Sequence, residues 1–268
     1  MKVIICLIGA LTLFKPLFAQ KVVKEDSLSN YSYFVYGLIN KRAIKQGTAF
    51  LVRKNNKVYI GTALHVLSGL EFDNDSLISD NLFPDSVFLR LYRKDNNKAY
   101  FFEFDIKAAK ILAKHLNILD HPDFLFLEIK VPSFCKIYSI ETPIKNYKAP
   151  KKFPLNILIY GYPVNDFETN SSIYVRLPAE RTDLVCSVDD YNKPFFWSHT
   201  EKFDKNILTF PNNEDKIRRG YSGSPVFFID KKDVKFTGML IMDTTHENNK
   251  TVDLVKPEYI KEAYIELK

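Results

Sequence analysis

Gly220-Tyr221-Ser222-Gly223-Ser224-Pro225-Val226-Phe227 is the most informative stretch of this chain. A serine hydroxyl attacks a carbonyl only when it stands clear of its neighbours, with a base beside it and backbone N–H groups aimed at the oxygen that becomes negative. Glycines at 220 and 223 permit the tight backbone that such exposure demands. A β-like run starts at Pro225. Taken alone, the stretch also fits a plain Gly/Ser turn leading into a strand, so its meaning depends on what else the chain carries.

Two further segments supply that context. Gly61-Thr62-Ala63-Leu64-His65-Val66 stands at the end of the β-like run Lys57 to Ala63, and Gln46-Gly47-Thr48-Ala49-Phe50-Leu51-Val52 precedes it by a hairpin's distance. His121-Pro122-Asp123-Phe124-Leu125-Phe126-Leu127 places an acid at the mouth of a strongly apolar strand, where by itself it would be an ordinary turn residue or cap. The order His, Asp, Ser, with 58 residues from His65 to Asp123 and 99 from Asp123 to Ser222, resembles the trypsin-like, or chymotrypsin-fold, serine peptidases. An α/β-hydrolase would carry Gly-x-Ser-x-Gly and the order Ser, acid, His. Here Ser224 occupies the last position of that pattern and the order is reversed.

The resemblance extends from about Tyr33 to the end of the chain. It implies an all-β fold of two antiparallel β-barrels, with His65 and Asp123 on the first, Ser222 on the second and a protein or peptide substrate in the cleft between them. It implies Ser222 as nucleophile, His65 as general base and then acid, and Asp123 as the orienting acid, with Asp120 the next candidate. The amides of Gly220 and Ser222 would form the oxyanion hole, and no cofactor would be needed. Digestive members of the family carry an Asp just before the nucleophile, which pairs with a new amino terminus after activation. This chain has Tyr221 there and no Ile-Val-Gly-Gly-like start, so it looks like the bacterial and stress-protease branches and should need no second cleavage. The family would place the primary pocket between the residues before Gly220 and the strand Phe236 to Met242. Lys216, Arg218 and Arg219 could favour acidic substrates there, or simply form a solvated loop.

Composition agrees with an all-β reading. The 268 residues are 46% hydrophobic and 26% charged, within the globular range. Fifteen tyrosines and 22 phenylalanines against 9 glycines, in short apolar runs rich in Val and Ile, favour strands. Expected strands are Tyr33 to Ile39, Ala49 to Arg53, Lys57 to Ala63, Val87 to Arg93, Tyr100 to Ile106 and Phe124 to Ile129. A second series comprises Leu155 to Tyr160, Ile173 to Leu177, Ile207 to Phe210, Pro225 to Ile229, Val234 to Met242 and Val252 to Val255. Residues 141–152, with two prolines and four lysines, have the composition of a connector. They divide an N-terminal barrel, 31–140, from a C-terminal one, 153–268. Beyond Pro257 the period changes, and Ile260, Ala263, Tyr264 and Leu267 recur at helical steps.

Met1-Lys2, the apolar stretch Val3 to Phe14, and Leu17-Phe18-Ala19 have the order of a secretory signal cut after Ala19, followed by a polar leader, 20–30. The stretch is well short of the roughly 20 residues a spanning helix needs, so the exported protein should lie in the periplasm or outside the cell, without membrane insertion. Loss of Lys2 and Lys15 leaves 36 basic against 32 acidic residues, a formal charge of +4. The charges are scattered and no nucleic-acid motif is present. Cys135 and Cys186 could form one disulfide or remain as buried thiols. His115, His121, His199 and His246 show no metal-ligand spacing. Two functions fit this sequence: a secreted serine endopeptidase, or a protease-like fold kept as a catalytically inert binding module. The intact set of three favours the enzyme.

Overall fold

Asn55 and Asn56 adopt the left-handed φ values of 51° and 63° that a two-residue hairpin requires. They turn the chain from β2 (Arg42–Lys54) into β3 (Lys57–Thr62), with Lys54 opposite Lys57 and Ala49 opposite Thr62. A computed structural model describes residues 25–40, 42–68, 84–110, 123–148, 155–162, 182–188, 194–195, 205–209, 220–230, 233–241 and 251–268. Besides β2 and β3, the first sheet contains β1 (Tyr33–Ile39), β4 (Ser86–Arg93), β5 (Ala99–Phe104), β6 (Leu125–Ile129) and β7 (Cys135–Lys136). Its order is β5-β4-β1-β2-β3-β6, with β7 also paired to β4.

The second sheet contains β8 (Leu155–Gly161), β9 (Thr182–Val188), β10 (Pro194–Phe195), β11 (Lys205–Thr209), β12 (Pro225–Asp230), β13 (Asp233–Ile241) and β14 (Thr251–Val255). Its order is β10-β11-β14-β13-β12-β8-β9. Every described pairing is antiparallel, as the short strands and tight turns predict. Register shifts at Gly37/Leu38 and Val226/Phe227 bend their strands and help curl the sheets.

The alternation of β4 explains the core. Val87, Leu89 and Leu91 point inward and are fully buried, while the residues between them face the opposite side. Phe50 of β2 joins the two sheets, its ring 6.3 Å from Phe236 of β13 and 6.0 Å from Phe126 of β6. Burying aromatic rings of this size contributes roughly 1.5–3 kcal/mol each before entropy is counted.

The structure adds elements to the expected ones. Residues 25–31 are helical, Glu25–Leu28 followed by a 3-10 turn, and Leu28 is fully buried, so this part of the polar leader is tied to the core. Within the expected connector, Glu141–Lys145 forms a short helix that buries Ile144. β9 and the two-residue strands β7 and β10 were not anticipated. The expected strand Ile173 to Leu177 and the signal segment 1–19 lie outside the described residues.

The helix Pro257–Glu266 forms where periodicity placed it and buries Ile260 and Tyr264. It packs back on the β2–β3 hairpin of the first sheet. Lys54 Nζ donates to the carbonyls of Tyr264 (3.1 Å) and Ile265, and the Tyr264 hydroxyl donates to the Arg53 carbonyl at 3.1 Å. The Tyr59 hydroxyl donates to the Lys268 carbonyl. A cation at a helix C-terminus is favourable because the last carbonyls are unpaired and partly negative.

Candidate active site

Register brings His65 to Asp123. β3 and β6 run antiparallel with Thr62 opposite Leu125, so the chain leaving β3 lies beside the chain entering β6. His65, three residues past Thr62, and Asp123, two before Leu125, therefore meet. β3 stops at Thr62, one residue before the expected end at Ala63, and His65 sits in the short helix Leu64–Ser68, which was not expected. Asp123 is 5% exposed. Its Oδ1 accepts the His65 backbone N–H at 3.0 Å and its Oδ2 pairs with Nδ1. With both carboxylate oxygens used in this way, a proton on Nδ1 is favoured, which puts the ring's lone pair on Nε2.

The loop bearing Ser222 is shaped by its glycines and clamped by strand β2. Gly220 and Gly223 have φ of 101° and 87°, the left-handed region that glycine enters without strain. Thr48 holds the loop twice: its N–H donates to the Ser222 carbonyl at 2.8 Å and its hydroxyl to the Gly220 carbonyl at 2.9 Å. The Thr48 hydroxyl also accepts the Tyr162 N–H at 3.0 Å. Thr62 Oγ1 donates to the Thr48 carbonyl at 2.7 Å. On the far side, the Gly223 N–H donates to Leu240 and the Ser224 N–H to Tyr221. These two amides thus serve the loop itself.

Gly47 is where the two parts converge. A Cβ there would lie 2.6 Å from a methyl of Val66, which follows His65, and 3.3 Å from the Ser222 carbonyl oxygen. Only a residue without a side chain lets the histidine segment and the serine loop pack against the same strand position. Sequence reading quoted Gly47 and Thr48 as part of a strand and missed this role. Nothing local signals it, since the partners of the Thr48 hydroxyl lie 172 and 114 positions away.

Thr48→Val keeps the shape but leaves the buried Gly220 carbonyl and Tyr162 amide without a partner. At roughly 1–3 kcal/mol for each orphaned group, we expect a loss of about 2–6 kcal/mol. The measurement is a urea midpoint shift at constant slope. An unshifted midpoint would show that the clamp is unimportant.

Cys135 is a free, buried thiol; the side chain of Cys186 lies outside the described residues. Burial pushes the Cys135 thiol above its ordinary pKa, against a smaller opposing pull from Arg93 and Lys94. The neutral form is therefore favoured by folding, and that contribution holds below the ordinary thiol pKa and fades as pH rises through the raised value. A disulfide reagent at pH 8 should leave Cys135 unmodified in the folded protein and modify it in denaturant. Rapid reaction of the native protein at Cys135, located by mass spectrometry, would count against this burial. His115, His121, His199, His246, Lys216, Arg218 and Arg219 lie outside the described residues. Among the described residues, no group of three or more His, Cys, Asp or Glu could hold a metal ion.

No protein-family model and no curated protein matches the chain in sequence. Solved structures do match it in shape. The thermostable serine protease AL20 from an extremophilic microorganism superposes with a TM-score of 0.50 at 12% identity, covering 88% of this chain and 97% of its own. The MamO protease domain from Magnetospirillum magneticum, in its apo form, gives 0.51 at 12% identity, covering 88% and 96%. Identity this low establishes the fold alone. The chain has the all-β, chymotrypsin-like fold, with two curled antiparallel sheets and a helix at residues 257–266.

Proposed function

We propose that this protein is a serine endopeptidase that cleaves peptide bonds through an acyl-enzyme on Ser222. The observation that carries this reading is the His65–Asp123 pair, fixed through both carboxylate oxygens, on the same strand framework that clamps the Ser222 loop. In the proposed reaction Ser222 Oγ bonds to the substrate carbonyl carbon while His65 Nε2 takes the hydroxyl proton. The amides of Gly220 and Ser222 stabilise the developing oxyanion. Collapse breaks the C–N bond, and the imidazolium gives its proton to the departing amine. Water, deprotonated by His65, then releases the acyl group and restores Ser222.

Residues 31–140 would supply the base and acid, 153–268 the nucleophile, and 141–152 the link. Export with a cut after Ala19 places the enzyme in the periplasm or outside the cell. Among the described residues no helix is long and apolar enough to cross a membrane. Tyr221 is 1% exposed and its ring packs closely at Gly161, which favours a loop ordered without a buried amino terminus.

A fluorophosphonate probe tests the proposal. Residues 20–268 should be labelled at Ser222, with labelling lost in Ser222→Ala and strongly reduced in His65→Ala. A folded protein that resists the probe would be the inert binding module instead. An extension placed before Gln20 should not change labelling.

A further inference from the structure

Arg90 of β4 is a buried cation with no anion beside it among the described residues. It is 7% exposed, and its Cζ lies 4.8 Å from the ring centroid of Tyr162, 5.5 Å from Phe34 and 5.8 Å from Tyr92. Among the described residues nothing accepts a hydrogen bond from its guanidinium, and Nε is sealed from solvent without an acceptor. An arginine side chain brings five N–H donors and a permanent positive charge. Aromatic faces attract the charge but are weak hydrogen-bond acceptors. Burial of a charge on these terms is unfavourable unless a further partner completes it.

The place of Arg90 suggests that partner. Leu89 and Leu91 point into the core, so Arg90 points to the opposite face of the first sheet. β4 lies beside β1, with Val35 opposite Leu89, and β1 lies beside β2, with Phe34 opposite Thr48. Arg90, Phe34 and Thr48 thus form a row across three strands on one face. Thr48 is the residue that grips the Ser222 and Gly220 carbonyls. Tyr162 closes the link, its ring over Arg90 and its N–H on the Thr48 hydroxyl. Two strand spacings are about 10 Å, the length of about three residues of extended peptide.

We propose that Arg90, in its box of Phe34, Tyr92 and Tyr162, is a specificity subsite for a carboxylate on the polypeptide substrate. The group it takes is an Asp or Glu side chain about three residues from the bond that is cut. This rests on the peptidase reading above. A carboxylate matches the guanidinium in shape and charge and supplies the acceptors that the rings do not.

The test uses binding, so that it is independent of turnover. Fluorescein-labelled decapeptide pools, each with one position fixed as Asp or as Asn, are titrated into Ser222→Ala protein by fluorescence polarisation. At one position the Asp pool should bind at least ten-fold more tightly than the Asn pool. Added salt should narrow the gap. Arg90→Met in the same background should abolish the preference without lowering Tm, since an apolar residue of similar volume removes an unpaired buried charge. Arg90→Lys, the second variant, should retain part of it.

Equal binding of Asp and Asn pools at every position overturns the proposal, as does a preference that survives in Arg90→Met. A sharp fall in Tm for Arg90→Met with unchanged peptide preference would make Arg90 structural only. The two readings also fail differently. An Asp preference in a protein whose Ser222 resists the fluorophosphonate probe sinks the peptidase but keeps the subsite, and labelling without an Asp preference does the reverse.

Discussion

Asp123→Asn should lower turnover on a peptide or ester substrate by about four orders of magnitude while the protein remains folded. The carboxylate now accepts two bonds from one residue, the His65 backbone N–H and the proton on Nδ1. An amide has one acceptor oxygen and one donor nitrogen. If its oxygen keeps the backbone bond, its NH2 faces Nδ1 and favours the tautomer that carries the proton on Nε2. That imidazole cannot take a proton from Ser222. Because size and one of the two bonds are kept, thermal stability should fall by only about 1–2 kcal/mol. Steady-state kinetics beside a melting curve separate the two effects. Full turnover in the variant would show that the acid lies elsewhere, with Asp120 next to be tried.

Gly223→Ala should disrupt both the fold and the serine loop. A Cβ at this position would lie 1.9 Å from the Thr48 carbonyl oxygen and 2.4 Å from Thr62 Oγ1. The φ of 87° adds a strain of roughly 1–3 kcal/mol for any residue with a side chain. Relief requires the loop to leave β2, which breaks the Thr48–Ser222 bond and the Gly223–Leu240 bond together. Strain and overpacking sum to about 2–6 kcal/mol, or roughly 10 °C in Tm. Probe labelling of Ser222 should fall at least a hundred-fold. Near-normal labelling would mean that the loop can shift without losing reactivity, and the clamp by Thr48 would lose its significance.

How far the sequence discloses this structure depends on the length of each signal. β1 and β4 are runs of seven or eight residues rich in apolar and aromatic side chains, and their limits are readable to within a residue. The helix Leu64–Ser68 has five residues, too few for a 3.6-residue period to register, so nothing around His65 announces a helix. Glu25–Leu28 is shorter still and is held by the burial of one leucine. The meeting of His65 and Asp123 was legible because each sits in a motif at a strand end. The clamp was not, since Thr48 is an ordinary strand residue until its distant partners are known. Arg90 shows the same limit from the other side. Lying between Leu89 and Leu91 it faces away from the core of the first sheet, but nothing local reveals that Tyr162, from the end of β8, covers it.

The packing of residues 257–268 against the β2–β3 hairpin bears on how this chain folds as well as on what holds it together. Lys54, Arg53 and Tyr59 bond to residues 209 to 211 positions later. The hairpin itself closes over two asparagines and can form in microseconds. Its docking partner requires closure of a loop of about 210 residues, whose entropy must be met before the contact stabilises anything. Chains dominated by such distant pairings fold slowly, on millisecond to second scales or longer. During synthesis the first sheet would therefore wait, with one hairpin uncovered, until residues 257–268 have emerged from the ribosome.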